Sequence, residues 1–379
     1  MKTPPLQGIR VLDLTHYQAG PTCTLLLAEL GAEVIKVEPP WGEQGRFAPP
    51  LIKGLSPYFA HLNKDKKSIT LNLKKDRGRE IFFDLVKKSD VVVENYAPGT
   101  MERLGIDYNE LKKVNPKIIL ASISGFGQYG PYSGRLSFDP IAQAMSGFMM
   151  LNGDTGGEKI KPLPIPEAPG DTIPGMFGTI GVLAALYHKE ILGIGQHIDV
   201  AQLDSLVSVN ISMTYFLMTG YTWRRAGQLV SGSPSWGLHE SKDGTVFIAA
   251  ARGAISDRFC ELLEVEELDW DIIESWTRMR TTKEIIETLV KAKIPVAPVF
   301  TVDEALKNPH LAARNMIVEL EHPQVESYGT PSFPIKFSET PVHVRNGAPL
   351  LGEHTENVLR SILEISEEEI RILREENIL

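Results

Sequence analysis

Apolar positions in the first third of the chain follow two alternating rhythms. Short runs such as Arg10-Val11-Leu12-Asp13-Leu14 and Glu33-Val34-Ile35-Lys36-Val37-Glu38 read as strands, while residues 22–30 between them carry helical periodicity and stop at Gly31. Pro39-Pro40 closes the second strand. The pattern repeats: 68–73 reads as a strand, 76–88 as a helix with Ile81, Phe82, Leu85 and Val86 on one face, and 90–94 and 117–122 as two more strands. Such alternation predicts an α/β fold with a large Rossmann-like domain, a parallel sheet covered by helices on both faces, whose ligands collect at the carboxyl ends of the strands. From residue 139 to 187 the helices lengthen around a Pro- and Gly-rich interruption at 162–175, and helical periodicity resumes at Ile173. A strand at 197–200 and a helix at 204–218 follow, and Ser231-Gly232-Ser233-Pro234 marks a boundary. Residues 226–325, with strands at 246–250 and 295–300, predict a smaller α+β domain set into a discontinuous large one, 1–225 and 326–379.

Composition narrows the classes. Of 379 residues, 42% are hydrophobic and 23% charged, so the chain buries a large core and is not disordered as a whole. Its 39 Lys and Arg stand against 48 Asp and Glu, a net charge of -9 that disfavours nucleic acid or an anionic membrane as partner. Only Cys23 and Cys260 are present, so no disulfide framework or thiolate metal site is expected, and a reducing, cytoplasmic location fits. The N-terminus lacks the apolar stretch of a signal peptide, and the longest apolar run, 177–187, is too short to span a bilayer.

Candidate chemistry starts at the first turn, Thr15-His16-Tyr17-Gln18-Ala19-Gly20-Pro21, where a dinucleotide fold carries its glycine fingerprint; that fingerprint is absent. Glu38 ends the second strand, as a ribose-binding carboxylate does in a dehydrogenase, but the phosphate cradle is missing. His16 is either a general base or a structural loop histidine. Between residues 64 and 88 nine basic side chains meet four acidic ones, which suits either a polyphosphate ligand or an ordinary solvated face. Asn95 and Arg103 follow a strand end, where they reach a ligand's carbonyl or phosphate groups, or simply form a turn and a helix start. In Pro169-Gly170-Asp171-Thr172, Asp171 reads as a helix N-cap or, kept ionised by the helix dipole and opened by flanking glycines, as a nucleophile. No HxH or HExxH spacing points to a metal, and no GxSxG elbow to a serine hydrolase.

Taken together these segments resemble a family III CoA-transferase over essentially the whole chain. The resemblance rests on Gly8-Ile9-Arg10-Val11-Leu12-Asp13, His16-Tyr17-Gln18-Ala19-Gly20-Pro21, Leu30-Gly31-Ala32-Glu33-Val34-Ile35-Lys36-Val37-Glu38, Asn63-Lys64-Asp65-Lys66-Lys67-Ser68-Ile69, Val92-Val93-Glu94-Asn95, Gly170-Asp171, Gly195-Gln196-His197-Ile198-Asp199-Val200 and Pro349-Leu350-Leu351-Gly352-Glu353-His354. It implies Asp171 as nucleophile with Gln18 beside the reacting acyl group, a site for coenzyme A, as acyl-CoA co-substrate, formed by Ala19, Leu71, Lys74, Asn95 and Arg103, and Asp139 as a carboxylate near Gln18. It also implies acyl-CoA and a small carboxylic acid as partners, no metal, and an interlocked homodimer. Two departures stand out. Pro39-Pro40 takes the place of a basic residue set against adenine in some members, leaving Arg46 or Arg135 for that role. In place of a run of four glycines over the aspartate, this chain has Ser231-Gly232-Ser233 and Trp236-Gly237, so oxalate or formate does not carry over as substrate. The related α-methylacyl-CoA racemases share the fold but need a histidine just before the aspartate corresponding to Asp139, where this chain has Phe138. A non-catalytic CoA-binding protein is the third reading.

Overall fold

The computed structural model describes residues 3–153, 161–221, 233–250 and 252–379. In chain order it opens with β1 (Arg10–Asp13), α1 (Ala19–Glu29), β2 (Glu33–Glu38), α2 (Pro57–Asn63), β3 (Lys67–Thr70), α3 (Asp76–Lys87), β4 (Val91–Glu94), α4 (Thr100–Leu104), α5 (Tyr108–Val114) and β5 (Ile119–Ser124). It continues through α6 (Asp139–Met145), α7 (Phe148–Leu151), α8 (Pro169–Leu192), β6 (His197–Ala201), α9 (Gln202–Val209) and α10 (Ile211–Thr219). All six strands pair in parallel, in the order β3-β2-β1-β4-β5-β6. The order reverses direction between β1 and β4, so the turns after these two strands diverge and open a crevice at the sheet's carboxyl edge.

Alternate side chains feed the two faces, as a sheet covered on both sides requires. On one face Leu12, Ile35, Ile69, Val92 and Leu120 pack with Ile81, Phe82 and Leu85 of α3. On the other, Val11, Val34, Val91, Val93, Ile119 and Ala121 pack with Cys23 and Leu27 of α1 and Val182 and Ala185 of α8. Gly175 and Gly178 let α8 lie close to its neighbours: a Cβ at Gly175 would stand 2.7 Å from the Ala19 carbonyl oxygen, and one at Gly178 2.8 Å from Ile123. The expected single helix at 204–218 is two helices. Asn210 divides them because its side chain donates to the Ser146 carbonyl (2.9 Å) and accepts from the Ser212 N–H (3.1 Å), a competing local pattern that ends α9.

The chain divides into two compact units. One comprises Met1–Phe148, Pro164–Leu217 and Ala312–Leu379 and contains the parallel sheet. The other comprises Met149–Leu163 and Met218–Leu311. In the latter, β7 (Trp236–Glu240), β8 (Thr245–Ala249) and, after α11 (Ala254–Leu263), α12 (Trp270–Arg278) and α13 (Thr282–Lys291), β9 (Val296–Pro298) form an antiparallel three-stranded sheet. Two short helices, α14 (Val302–Leu306) and α15 (Pro309–Ala313), come next. The hairpin β10 (Ile317–His322) and β11 (Glu326–Pro331) and the helices α16 (Thr355–Leu363) and α17 (Glu367–Glu375) belong to the first unit. Val358, Leu359, Ile370 and Leu373 of these helices complete the core on the α3 side. Ser231 and Gly232 lie outside the described residues; Trp236 and Gly237 begin β7. Among the described residues no helix is long and apolar enough to cross a membrane.

Candidate active site

The turn after β1 rests on a buried charge network. Asp13, fully buried, accepts from the Thr15 N–H (2.8 Å) and Thr24 Oγ1 (2.7 Å), with Lys66 Nζ at 3.0 Å and Lys36 Nζ at 3.9 Å. Burial alone would raise its pKa, but the two ammonium groups and the hydroxyl donors prevail and hold it well below the usual carboxylate range. Lys36 also donates to the Thr15 carbonyl at 2.7 Å, fixing the turn from beneath. Above it Tyr17 adopts left-handed backbone (φ 58), an uncommon state for a bulky residue, and its N–H reaches Glu43 Oε2 at 3.3 Å. Asn95, from the turn after β4, clamps the same segment. Its Oδ1 accepts the His16 N–H (2.9 Å) and its Nδ2 donates to the His16 carbonyl (2.8 Å). Burial and Lys36 push the His16 pKa down to about 4, so the ring is neutral at pH 7 and a weak base.

The start of α8 approaches this turn. Asp171 does not cap the helix, as one sequence reading had it. The N-cap position falls on Ala168, in left-handed backbone (φ 47), and Asp171 sits in the first turn. The capping contact comes from another helix: Asp139 Oδ1, at the start of α6, accepts the Gly170 N–H at 2.7 Å, and its Oδ2 accepts Gln143 Nε2 at 2.7 Å. Relieved of that task, the Asp171 carboxylate accepts the side-chain amide of Gln202, the first residue of α9. Burial and the neighbouring Asp139 raise its pKa to about 7 against the hydrogen bond from Gln202, so the helix end does not keep it in the normal carboxylate range as expected. Gln18, at the start of α1, donates to Thr172 Oγ1 at 3.0 Å and ties the two helix ends together. A Cβ at Gly170 would lie 2.8 Å from the Asp139 carbonyl oxygen and 2.9 Å from its Oδ1. Gly170→Ala is therefore expected to displace Asp139, lower stability by about 1–3 kcal/mol and reduce kcat more than KM, measured by thermal denaturation and steady-state assay.

A cavity of about 190 Å³ collects His16, Gln18, Ala19, Asn95, Tyr96, Ser124, Arg135, Leu136, Phe138, Asp171 and Gln202 at the carboxyl edge of the sheet. Gln18, Ala19, Asn95 and Asp171 thus meet in one place, with Asp139 behind Gly170. The remaining candidates do not line it. Leu71 is buried in the α3-side core, Lys74 is exposed with its ammonium 5.7 Å from the Trp41 ring, and Arg103 is exposed on α4 and donates to Thr100 Oγ1 at 2.7 Å. Most of the basic cluster is internally engaged: Lys64 pairs with Glu29 at 3.3 Å, Lys66 with Asp13, Lys67 with Glu33 at 2.6 Å, and Arg77 with Glu80 and Glu369. Arg46 grips Glu38 with two hydrogen bonds of 2.7 Å, so neither side chain is without a partner inside the fold. Arg135, stacked at 3.9 Å on Tyr132, stays exposed at the cavity. Gln202 and Ser137 were missed in the sequence, where neither belongs to a motif.

A doubly wound sheet with a carboxylate at its switch point defines an α/β enzyme binding its substrate at the strand ends. The model of CoA-transferase family III matches residues 6–355, and the chain belongs to that family. It is a family III CoA-transferase, acting between acyl-CoA and carboxylic acids. The formyl-CoA:oxalate CoA-transferase of Streptomyces coelicolor is 34% identical to it, covering 100% of both chains. The succinyl-CoA:mesaconate CoA-transferase of Haloarcula marismortui is 35% identical over 93% of this chain and 95% of its own. The crystal structure of a CAIB/BAIF family protein from Brucella suis superposes with a TM-score of 0.85 at 30% identity, covering 96% of this chain and 100% of the other.

Proposed function

We propose that the chain moves CoA from an acyl-CoA donor to a free small carboxylic acid through a covalent aspartyl-CoA thioester on Asp171. The observation that carries this reading is a carboxylate at the mouth of α8 that does not cap its helix, forms no ion pair among the described residues, and faces a cavity beside Gln18. An oxygen of ionised Asp171 attacks the thioester carbonyl carbon; the C–S bond breaks and the CoA thiolate departs, leaving a mixed anhydride. The thiolate adds to the aspartyl carbon and expels the donor acid, which carries away the attacking oxygen. An incoming carboxylate then adds to the aspartyl thioester and releases the thiolate, which attacks the new acyl carbon and restores Asp171. Two activated intermediates divide a barrier that direct displacement of a thiolate by a carboxylate does not cross readily. The start of α1 has no side-chain cap, and first-turn N–H groups lack intrahelical partners, so those of Ala19 and Gly20 suit the oxyanion on the acyl group. In this reading Lys74 and Arg103, exposed outside the cavity, and Arg135 at its edge meet the phosphates and adenine of CoA, Asn95 shapes its groove, Leu71 supports the fold from the core without touching the ligand, and no metal takes part.

Protein incubated with acyl-CoA and quenched with hydroxylamine is expected to carry a hydroxamate on the peptide containing Asp171. An unmodified peptide sinks the proposal and would leave CoA binding without this covalent chemistry. Phe138, an exposed apolar side chain on the cavity wall, has no proton to exchange, which disfavours the racemase reading. We further propose a homodimer: Met176, Ile180, Tyr187 and Ile191 form an exposed apolar stripe along α8. Light scattering is expected to give twice the chain mass.

A further inference from the structure

We propose that Gln202 is a catalytic residue of this transferase: its side-chain N–H groups hold the oxyanion that forms on Asp171 itself when the aspartyl carbon is attacked. The inference rests on the covalent reading above and assigns a donor to the half of the chemistry that the start of α1 does not serve.

Two of the four addition steps take place at the aspartyl carbon rather than at an acyl substrate: thiolate adding to the mixed anhydride, and carboxylate adding to the thioester. In each, the negative charge develops on the aspartyl oxygen that stays with the protein throughout. A donor for that oxygen must already be in place in the resting enzyme, because the oxygen does not leave. Gln202 Nε2 donates to Asp171 Oδ1, and among the described residues no other side chain hydrogen-bonds this carboxylate. The oxygen that Gln202 holds is then the retained one, and the other is left to attack.

The amide is preset for the task. An ionised carboxylate only accepts hydrogen bonds, so Gln202 must present its nitrogen to Asp171 and its oxygen elsewhere. That oxygen accepts Ser137 Oγ at 2.9 Å, which fixes the same orientation from the far side. Gln202 is itself buried. Its place at the junction of β6 and α9 is anchored by the Leu203 N–H, which donates to the Gly125 carbonyl at 3.2 Å. Gly125 also admits Ser137: a Cβ there would lie 2.2 Å from the Ser137 Cβ. Strand end, glycine, serine and glutamine thus converge on one aspartate oxygen. A donor fixed before reaction costs no reorganisation when the charge appears, and removing one such donor typically slows turnover about 10²–10³-fold.

Gln202→Leu removes the donor at similar volume, and Gln202→Glu keeps the shape without an N–H toward Asp171. In both, covalently bound CoA, followed by intact-protein mass spectrometry after rapid acid quench, is expected to form about 10²–10³-fold more slowly than in wild type. CoA affinity by calorimetry and KM for the donor are expected to stay near wild type, and Ser137→Ala to give a smaller loss of the same kind. Formation of the adduct in Gln202→Leu within about threefold of the wild-type rate overturns the inference while leaving Asp171 as nucleophile, since a lost oxyanion donor slows the step far more than that. So does a parallel loss of fold or CoA affinity in both Gln202 variants, which assigns the residue to structure alone. Absence of any adduct in the wild type overturns the nucleophile reading instead.

Discussion

Asp171→Asn is expected to lose transferase activity by about 10⁴-fold or more, the scale of a removed nucleophile, and at the same time to gain stability. The gain follows from the raised pKa. A carboxyl whose ordinary value is 3.8 but which stands at about 7 in the folded chain resists ionisation there. Below pH 4 it is protonated in both folded and unfolded states and costs nothing. As pH rises from 4 to 7 the unfolded chain ionises freely and the folded one does not, so stability is withdrawn, fully so above pH 7. Asparagine keeps the shape and the bond to Gln202 but carries no charge, so the variant should match wild type near pH 4 and exceed it by about 2–4 kcal/mol at pH 8. Chemical denaturation at the two pH values measures this, and an equal difference at both contradicts it. In the wild type the same ionisation places an acidic limb near pH 7 in kcat/KM, activity rising with pH. The groups that act on Asp171 are Asp139, Gln202 and Tyr58, whose phenol is itself pushed up by burial and by Asp171. On the proposed role of Asp171, the stability given up here is exchanged for reactivity.

Asp13→Asn is expected to be the most destabilising conservative change in the large unit, about 3–5 kcal/mol at pH 7, because it leaves the buried Lys36 and Lys66 without their shared counter-charge. Lys66 already lies low, at about 8, through burial, with Asp13 its largest support. Asparagine keeps one acceptor oxygen, enough for Thr15 at the Oδ1 position, but turns an amide N–H toward Thr24 and Lys66, which met Oδ2, so the loss measured by urea denaturation reports the missing charge together with those acceptor contacts. Adding Lys66→Met to Asp13→Asn should recover part of it; a second, additive loss would show that the pair is not coupled. The sign in pH is opposite to that of Asp171. A folded pKa well below the ordinary value contributes stability that is present above pH 4 and is lost as pH falls below it.

The sheet was readable from its rhythm, because parallel strands with both faces covered and amphipathic helices between them leave distinct apolar periods; β2 begins and ends where the pattern does. Asp171 was readable as a residue and misread as a contact. Its capping role belongs to Asp139, which is distant in sequence and reachable only because Gly170 lacks a side chain. The run of lysines and arginines at 64–88 left a phosphate site and a solvated face both open in sequence, because its partners Asp13, Glu29 and Glu369 come from other elements. Arg46 was free on paper and is locked to Glu38 in space. Gln202 carried no signal, since a lone glutamine opening a helix looks like any polar surface residue until the fold brings Asp171 to it.

Ser137 points inward to Gln202, while its neighbours Leu136 and Phe138 stand exposed on the cavity wall in the irregular stretch before α6. The alternation gives three consecutive residues two different surroundings. Exchanging Leu136 or Phe138 is expected to reshape the cavity wall while leaving the Ser137–Gln202 hydrogen bond in place. The shape offered to an acid can thus be altered apart from the polar contact beneath it.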